Sequence, residues 1–158
     1  MGRILVVYDS WTGNTEKMAL AVADGVKQVK YVEVTVKKVE EATLEDLRCS
    51  DGIIMGSPTY YGQMSGKLKT FIDRSAEIHG KLEGKVGAAF TSSGRTAASA
   101  TTLLSILETM LVHGMIVQGR SDDKHFGAAA VGAPNPKEIE YCEELGRRVA
   151  HLVFKLEK

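Results

Sequence analysis

Six consecutive residues, Ser10-Trp11-Thr12-Gly13-Asn14-Thr15, carry three hydroxyls, a carboxamide and a glycine, and neither lysine nor arginine. An apolar run at 4–8 precedes them, and a helical pattern with Met18, Val22, Val26 and Val29 on one side follows. A buried strand therefore runs through a short loop into a helix N-terminus. Backbone N–H groups there lack intrahelical partners, and the helix dipole adds partial positive charge, so the place suits an anion. Gly13 permits a tight turn and close backbone approach. Hydrogen bonds to a charged group are worth roughly 1.5–3 kcal/mol each, so several neutral donors suffice to hold a phosphate without a cation. A triphosphate undergoing hydrolysis fits poorly, because nothing in the loop neutralises charge on a transferring phosphoryl group. An ordinary capped strand-to-helix turn also fits these six residues taken alone.

Two further loops carry similar chemistry. Pro58-Thr59-Tyr60-Tyr61-Gly62 offers a rigid start, a hydroxyl and two adjacent rings. Aromatic faces suit a flat, polarisable ligand; the alternative is a pair of surface tyrosines on a turn. Ser92-Ser93-Gly94-Arg95 offers backbone donors to a polar ring edge. Arg95 either stabilises negative charge on a reduced ring or is simply solvated.

Other chemistries fail on spacing. Gly62 and Gly66 are one residue too close for a nucleotide-triphosphate loop, and Leu68 stands where a magnesium-binding hydroxyl belongs. No GxGxxG follows a strand, and no GxSxG marks a hydrolase elbow. His79, His113, His125 and His151 are scattered without metal-ligand spacing, so no metal is expected.

The elements that must position these loops alternate from end to end. Strands are expected at 4–8, 32–36, 52–56, 86–91 and 115–117, and helices at 14–28, 44–48, from about 65, between strands four and five, and after Pro134-Asn135-Pro136. Val32, Val34 and Val36 alternate with polar residues, which marks a half-exposed edge strand, whereas the other strands are continuous apolar runs. The third helix turns Leu68, Phe71 and Ile72 inward, and the fourth carries Leu103, Leu104, Leu107 and Leu111. The last helix faces inward with Ile139, Cys142, Leu145, Val149 and Leu152. Residues 119–133 form an irregular connection, with an apolar patch at 128–131 placed to resume strand five. Alternating strands and helices mean a parallel sheet covered on both faces, with right-handed crossovers. The order 2-1-3-4-5 fits best. Its switch point lies between strands one and three, where all three loops emerge.

Residues 1–158 read as one α/β domain with an ordinary globular composition, 44% hydrophobic and 25% charged. Zero formal net charge argues against nucleic acid as the main partner. Cys49 and Cys142 form no CxxC pair, which points to a reduced compartment. With no apolar run long enough to span a membrane and no signal peptide at the start, a cytoplasmic protein is expected.

These residues resemble a known family. The first loop resembles the phosphate loop of flavodoxin-like proteins. More specific is Gly56-Ser57-Pro58-Thr59-Tyr60-Tyr61-Gly62-Gln63-Met64-Ser65-Gly66-Lys67-Leu68-Lys69-Thr70-Phe71-Ile72-Asp73. It is similar to the G-[ST]-P-T-x-[FY]-G-x-M-[AS]-x-x-x-[KR]-x-F-x-D signature of the NAD(P)H:quinone oxidoreductases once called Trp-repressor-binding proteins. Phe90-Thr91-Ser92-Ser93-Gly94 resembles that family's segment after strand four, and Leu111-Val112-His113-Gly114-Met115 its segment before strand five. The resemblance covers nearly the whole chain.

It implies a flavodoxin-like three-layer sandwich with a five-stranded parallel sheet, and FMN as cofactor. Ser10, Trp11, Thr12, Gly13, Asn14 and Thr15 would hold the phosphate. Pro58, Thr59, Tyr60, Tyr61 and Gly62 would line the isoalloxazine, and Ser92, Ser93, Gly94 and Arg95 its pyrimidine side. His113 matches a histidine that approaches the flavin in the family. As a residue in its own right it also reads as a helix C-terminal histidine, with Gly114 after it. The reaction implied is two-electron transfer from NAD(P)H to a quinone in one shared pocket, with Tyr60, Tyr61, Arg95 and His113 around the ring. A flavodoxin-type electron carrier between protein partners is the alternative. Several departures from the family stand out. A basic residue usually stands where Tyr60 is. The glycine-rich loop after strand four is longer in the family. A tryptophan near the ring is missing here, with His79 closest. The chain also lacks most of the insertion before strand three and part of the one after strand five, which help build the family's tetramer and substrate pocket; a homo-oligomer, dimer or tetramer, is what the resemblance leaves open.

Overall fold

The computed structural model describes residues 1–94 and 98–157. Its strands are β1 (Gly2–Tyr8), β2 (Val32–Lys38), β3 (Gly52–Pro58), β4 (Val86–Ser93), β5 (Ile116–Val117) and β6 (Ala128–Val131). Its helices are α1 (Asn14–Lys27), α2 (Leu44–Cys49), α3 (Gly66–Arg74), α4 (Ser99–Val112) and α5 (Pro136–Leu156), with a 3-10 turn at Ser75–Ile78 that sequence periodicity missed. All pairings are parallel, in the order β2-β1-β3-β4-β5. This is the flavodoxin-like α/β arrangement.

The fifth strand position is shared. Val86 and Gly87 of β4 pair with Ile116 and Val117, while residues from Phe90 to Ser93 pair with β6. The apolar patch at 128–131 thus resumes the interrupted strand along the same side of β4. Residue burial in β2 alternates, as expected of an edge, whereas β3 and β4 are buried throughout.

Two apolar layers flank the sheet. On one face Ile4, Val6, Ile54 and Phe90 pack with Met18, Val22 and Val26 of α1 and Cys142, Val149 and Val153 of α5. On the other, Leu5, Val7, Ile53 and Met55 pack with Leu68 and Phe71 of α3 and Leu103, Ile106 and Met110 of α4. Leu111 is 59% exposed, so α4 faces the sheet with Ile106 and Met110 in its place. α1 and α5 lie unusually close: a Cβ on Gly25 would meet Glu143 O at 1.9 Å, and one on Gly146 would meet Val22 O at 2.0 Å.

Caps set where the helices begin. Thr43 and Asp46 form a reciprocal capping box on α2. Ser65 Oγ accepts from Leu68 N at 3.2 Å on α3, and Asn135 Oδ1 accepts from Glu138 N at 2.8 Å on α5, with Pro136 as its first residue. α1 begins differently, at Gly13, with no cap from that residue's own side chain.

Candidate functional site

Three loops leave the carboxyl ends of β1, β3 and β4. In the first, Gly13 takes φ of 92°, in the left-handed region that favours glycine. Ser10 closes the loop, its Oγ accepting from the amides of Gly13 (3.2 Å) and Glu16 (3.3 Å). The hydroxyl's own proton is left to donate outward. No described residue accepts from the amides of Thr12, Asn14 or Thr15. These groups sit at the positive end of a 14-residue helix. Tyr8 braces the loop from below, its phenol donating to Glu16 Oε2 at 2.5 Å. Burial and that carboxylate raise the Tyr8 pKa well above the usual phenol range.

The second loop is a tight turn. Tyr60 and Gln63 exchange backbone hydrogen bonds of 3.0 Å each, with positive φ at Tyr61 (51°) and Gly62 (74°) between them. That is the geometry of a type I′ turn. Its consequence is that Tyr61, at the tip, is 106% exposed. Expected as a wall of the site, it points into solvent instead. Ser57 anchors the far side of the turn, its Oγ accepting from Ser65 N at 2.8 Å.

Hydroxyls tie the loops together. Thr15 Oγ1 and Ser92 Oγ are 2.8 Å apart, and Thr59 N donates to Ser92 O at 2.7 Å. Thr91 Oγ1 donates to Ser57 O at 2.7 Å, so the 2.9 Å bond between Thr59 and Thr91 has Thr59 Oγ1 as donor. What remains on Thr59 Oγ1 is acceptor capacity.

Trp11, Thr12, Asn14, Thr15, Pro58, Thr59, Tyr60, Ser92, Ser93 and Gly94 line one cleft of about 270 Å³. All three loops contribute, as the switch point requires. The Trp11 and Tyr60 rings, both in the cleft lining, meet edge to face, centroids 6.3 Å apart. Burial, then the Asp9 carboxylate, raises the Tyr60 phenol pKa. A Cβ added to Gly94 would meet nothing within 4 Å among the described residues. Ser10, Gly13 and Gly62 support the loops without lining this cleft. Arg95 lies outside the described residues. A hollow beneath residues 118–127, about 20 Å³, admits no more than about one water.

His113 is not brought to the cleft of its own chain. It follows α4, which begins at the carboxyl end of the sheet and returns to the amino end, where Gly84 N donates to Gly114 O just before β4 starts. The cleft is at the other end of β4, roughly 23 Å away at about 3.3 Å per residue. The histidine is a helix C-cap followed by Gly114 at φ of 76°. Ser75 Oγ donates to Ile72 O, so His113 Nε2–H donates to Ser75 Oγ at 2.7 Å, leaving Nδ1 buried without a partner among the described residues. His79 lies 5.6 Å away, ring to ring. Burial and then His79 lower the His113 pKa below the ordinary value.

Sequence reasoning missed Asp9, Ser65 and Lys67, which wall a neighbouring cleft. The available signal was a carboxylate set directly between an apolar strand and an anion-binding loop.

Residues 3–122 match the family model described as NADPH-dependent FMN reductase. The chain belongs to the NADPH-dependent FMN reductase family. Its relatives within this redox group carry two kinds of name. It is 41% identical to a flavodoxin of Aquifex aeolicus, over 97% of this chain and 88% of that one. It is 38% identical to an NAD(P)H dehydrogenase (quinone) of Archaeoglobus fulgidus, over 99% and 100%. A crystal structure of a flavodoxin, WrbA-like protein from Agrobacterium tumefaciens superposes with a TM-score of 0.85 at 27% identity, covering 98% of this chain and 99% of that one. The family is one of flavin-linked redox proteins, and membership accords with the cleft's position at the switch point. Among the described residues no helix is long and apolar enough to cross a membrane.

Proposed function

We propose that this protein binds FMN in the 270 Å³ cleft and acts as a two-electron NAD(P)H:quinone oxidoreductase. The observation that carries the reading is the donor set of the first loop, which fits a phosphate dianion. Amides of Thr12, Asn14 and Thr15, with no acceptor among the described residues, stand at a helix N-terminus beside the hydroxyls of Ser10 and Thr12. No charged side chain lies within the loop to compete.

The residues divide the work. The first loop holds the phosphate. Pro58, Thr59 and Tyr60 wall one side of the cleft, and Ser92, Ser93 and Gly94 the other. Thr59 Oγ1, its proton committed to Thr91, presents an acceptor. Trp11 and Tyr60 add two aromatic rings to the cleft wall. Arg95 stays in this reading as the charge that stabilises a reduced ring. When bound, the flavin supplies hydride acceptance from a nicotinamide and two-electron return to a quinone, while the protein supplies orientation and electrostatics. Tyr61 and His113 have no part in it within one chain.

The enzyme reading is supported by the family description and by the quinone-reductase relative matched over its whole length. A second reading, an electron carrier between proteins, is favoured by the 41% identity to a flavodoxin. Anaerobic mixing separates the two. Holoprotein given NADH or NADPH should lose its yellow absorbance quickly and regain it with benzoquinone. Colour that persists with both nicotinamides and fades only with dithionite sinks the enzyme reading. Protein that is colourless and takes up no FMN sinks both.

A further inference from the structure

Glu16 is the third residue after the Gly13 cap of α1. In a capping box an acid at that position turns back on the helix start and accepts from the amide of the cap residue. Asp46 on α2 and Glu138 on α5 hold the same position and do turn back. Asp46 Oδ2 accepts from Thr43 N at 2.8 Å, and Glu138 Oε1 accepts from Asn135 Nδ2 at 2.7 Å. Glu16 turns the other way. Its Oε2 accepts from the Tyr8 phenol at 2.5 Å, and Lys38 Nζ lies 3.9 Å from the same oxygen. Glu16 lines a hollow shared with Lys38, Glu40 and Glu41, and it does not line the 270 Å³ cleft.

The direction matters because two anions have a claim on the same turn of helix. A carboxylate folded back on the helix start would lie among the first amides of α1. It would take up the positive potential that a phosphate needs, and it would repel the dianion. Two side chains prevent this. Ser10 Oγ accepts from the amide of Gly13, the one a capping acid would use, at 3.2 Å. Tyr8 takes the carboxylate itself. Its ring is 5% exposed on β1, between β2 and β3, so the sheet fixes where the phenol stands. Burial and the Glu16 carboxylate raise its pKa, so the phenol keeps the proton it donates.

We propose that Tyr8 is a positioning residue for the anion site: by holding Glu16 off the first turn of α1, it keeps the amides of Asn14 and Thr15 free for a phosphate. Resting on the reading above, that phosphate is the one FMN carries. Tyr8 acts on that group alone, so riboflavin, which lacks it, does not sense the phenol.

The test titrates apoprotein with FMN and, separately, with riboflavin, and reads flavin fluorescence. Tyr8→Phe should weaken FMN about tenfold, the scale of one lost bond to a charged group, and leave riboflavin unchanged. Adding Glu16→Gln to Tyr8→Phe should restore FMN, because a neutral side chain does not repel the dianion. Glu16→Asp disturbs no buried residue. Its carboxylate is one methylene short of the phenol and suits the helix start as Asp46 does, so it should weaken FMN in the same way. If Tyr8→Phe does not fold, Glu16→Asp decides alone. Equal losses of FMN and riboflavin, or no rescue by Glu16→Gln, reduce Tyr8 to packing and overturn the proposal. Unchanged FMN affinity in folded Tyr8→Phe, or in Glu16→Asp, overturns it too. Each of those results leaves the FMN reading standing as long as wild type prefers FMN to riboflavin. Wild type that binds the two alike removes the phosphate site, and the proposal with it.

Discussion

Thr12 isolates what one hydroxyl contributes. It lines the candidate cleft, is exposed, and makes no hydrogen bond among the described residues. Removing its oxygen therefore strands no protein group. Thr12→Val should leave the melting temperature of the apoprotein unchanged and raise the FMN dissociation constant tenfold or more, from roughly 1.5–3 kcal/mol for a bond to a charged acceptor. Fluorescence quenching of FMN on titration measures it; unchanged affinity would place the phosphate elsewhere. Thr15 is no substitute for this experiment, because its hydroxyl also bonds Ser92. Residue types in order told which loops carry donors; Thr12, Thr15, Thr59 and Ser92 line one cleft, while Ser10 closes the first loop beside it. Direction was not legible for Tyr61. Adjacent tyrosines look like two walls, yet the left-handed turn at Tyr61-Gly62 sends one ring outward. Asp9 escaped notice because a lone acid beside a strand ordinarily ends in water.

Periodicity located the larger elements because burial imposes it: α1 and α5 show their inward stripes, and β2 its alternation. Their ends shifted by a residue or more, since caps and loop hydrogen bonds decide them. β3 and β4 run two residues beyond the expected strands because Ser57 and Pro58 pair with Thr91 and Ser92, and Ser93 pairs with Val131 of β6. The close approach of α1 and α5 was hidden, as glycine inside a helix reads first as a weak point. Gly146→Ala sets two effects against each other. Helix propensity gains about 1 kcal/mol. The new methyl meets a backbone carbonyl at 2.0 Å, which cannot rotate aside, so the helices must separate. Overpacking of that kind costs about 1–3 kcal/mol, and it should win. A fall of several degrees in melting temperature, with FMN still bound, is expected; a rise would show that the helices part freely.

Taken as a whole, the molecule sets its candidate cofactor cleft at one end of the sheet and a pair of adjacent histidines at the other. His113 has its pKa lowered, chiefly by burial. The unfolded chain therefore binds more protons than the native one as pH drops below the ordinary histidine value, about 6.5. Stability from this group is complete above that value and declines on acidification through it. Melting temperature should fall between about pH 7.5 and 5.5 by more in wild type than in His113→Gln, since the amide keeps a donor for Ser75 and does not titrate there. Parallel slopes would assign the acid sensitivity to other groups. The global topology was readable because alternation of strand and helix admits few parallel arrangements. The interrupted fifth position was readable only as an apolar patch, since pairing with β4 rather than local pattern makes it a strand. That interruption matters beyond the fold. A sheet border with an unbroken row of free N–H and C=O groups invites another chain to add itself. Here one border is cut into pieces of two and four residues, and the other bears Glu33, Lys37 and Lys38. Neither side gives a foreign strand a long run to zip onto, so fibril-like growth has no starting rail, and any association between copies is left to helices and loops.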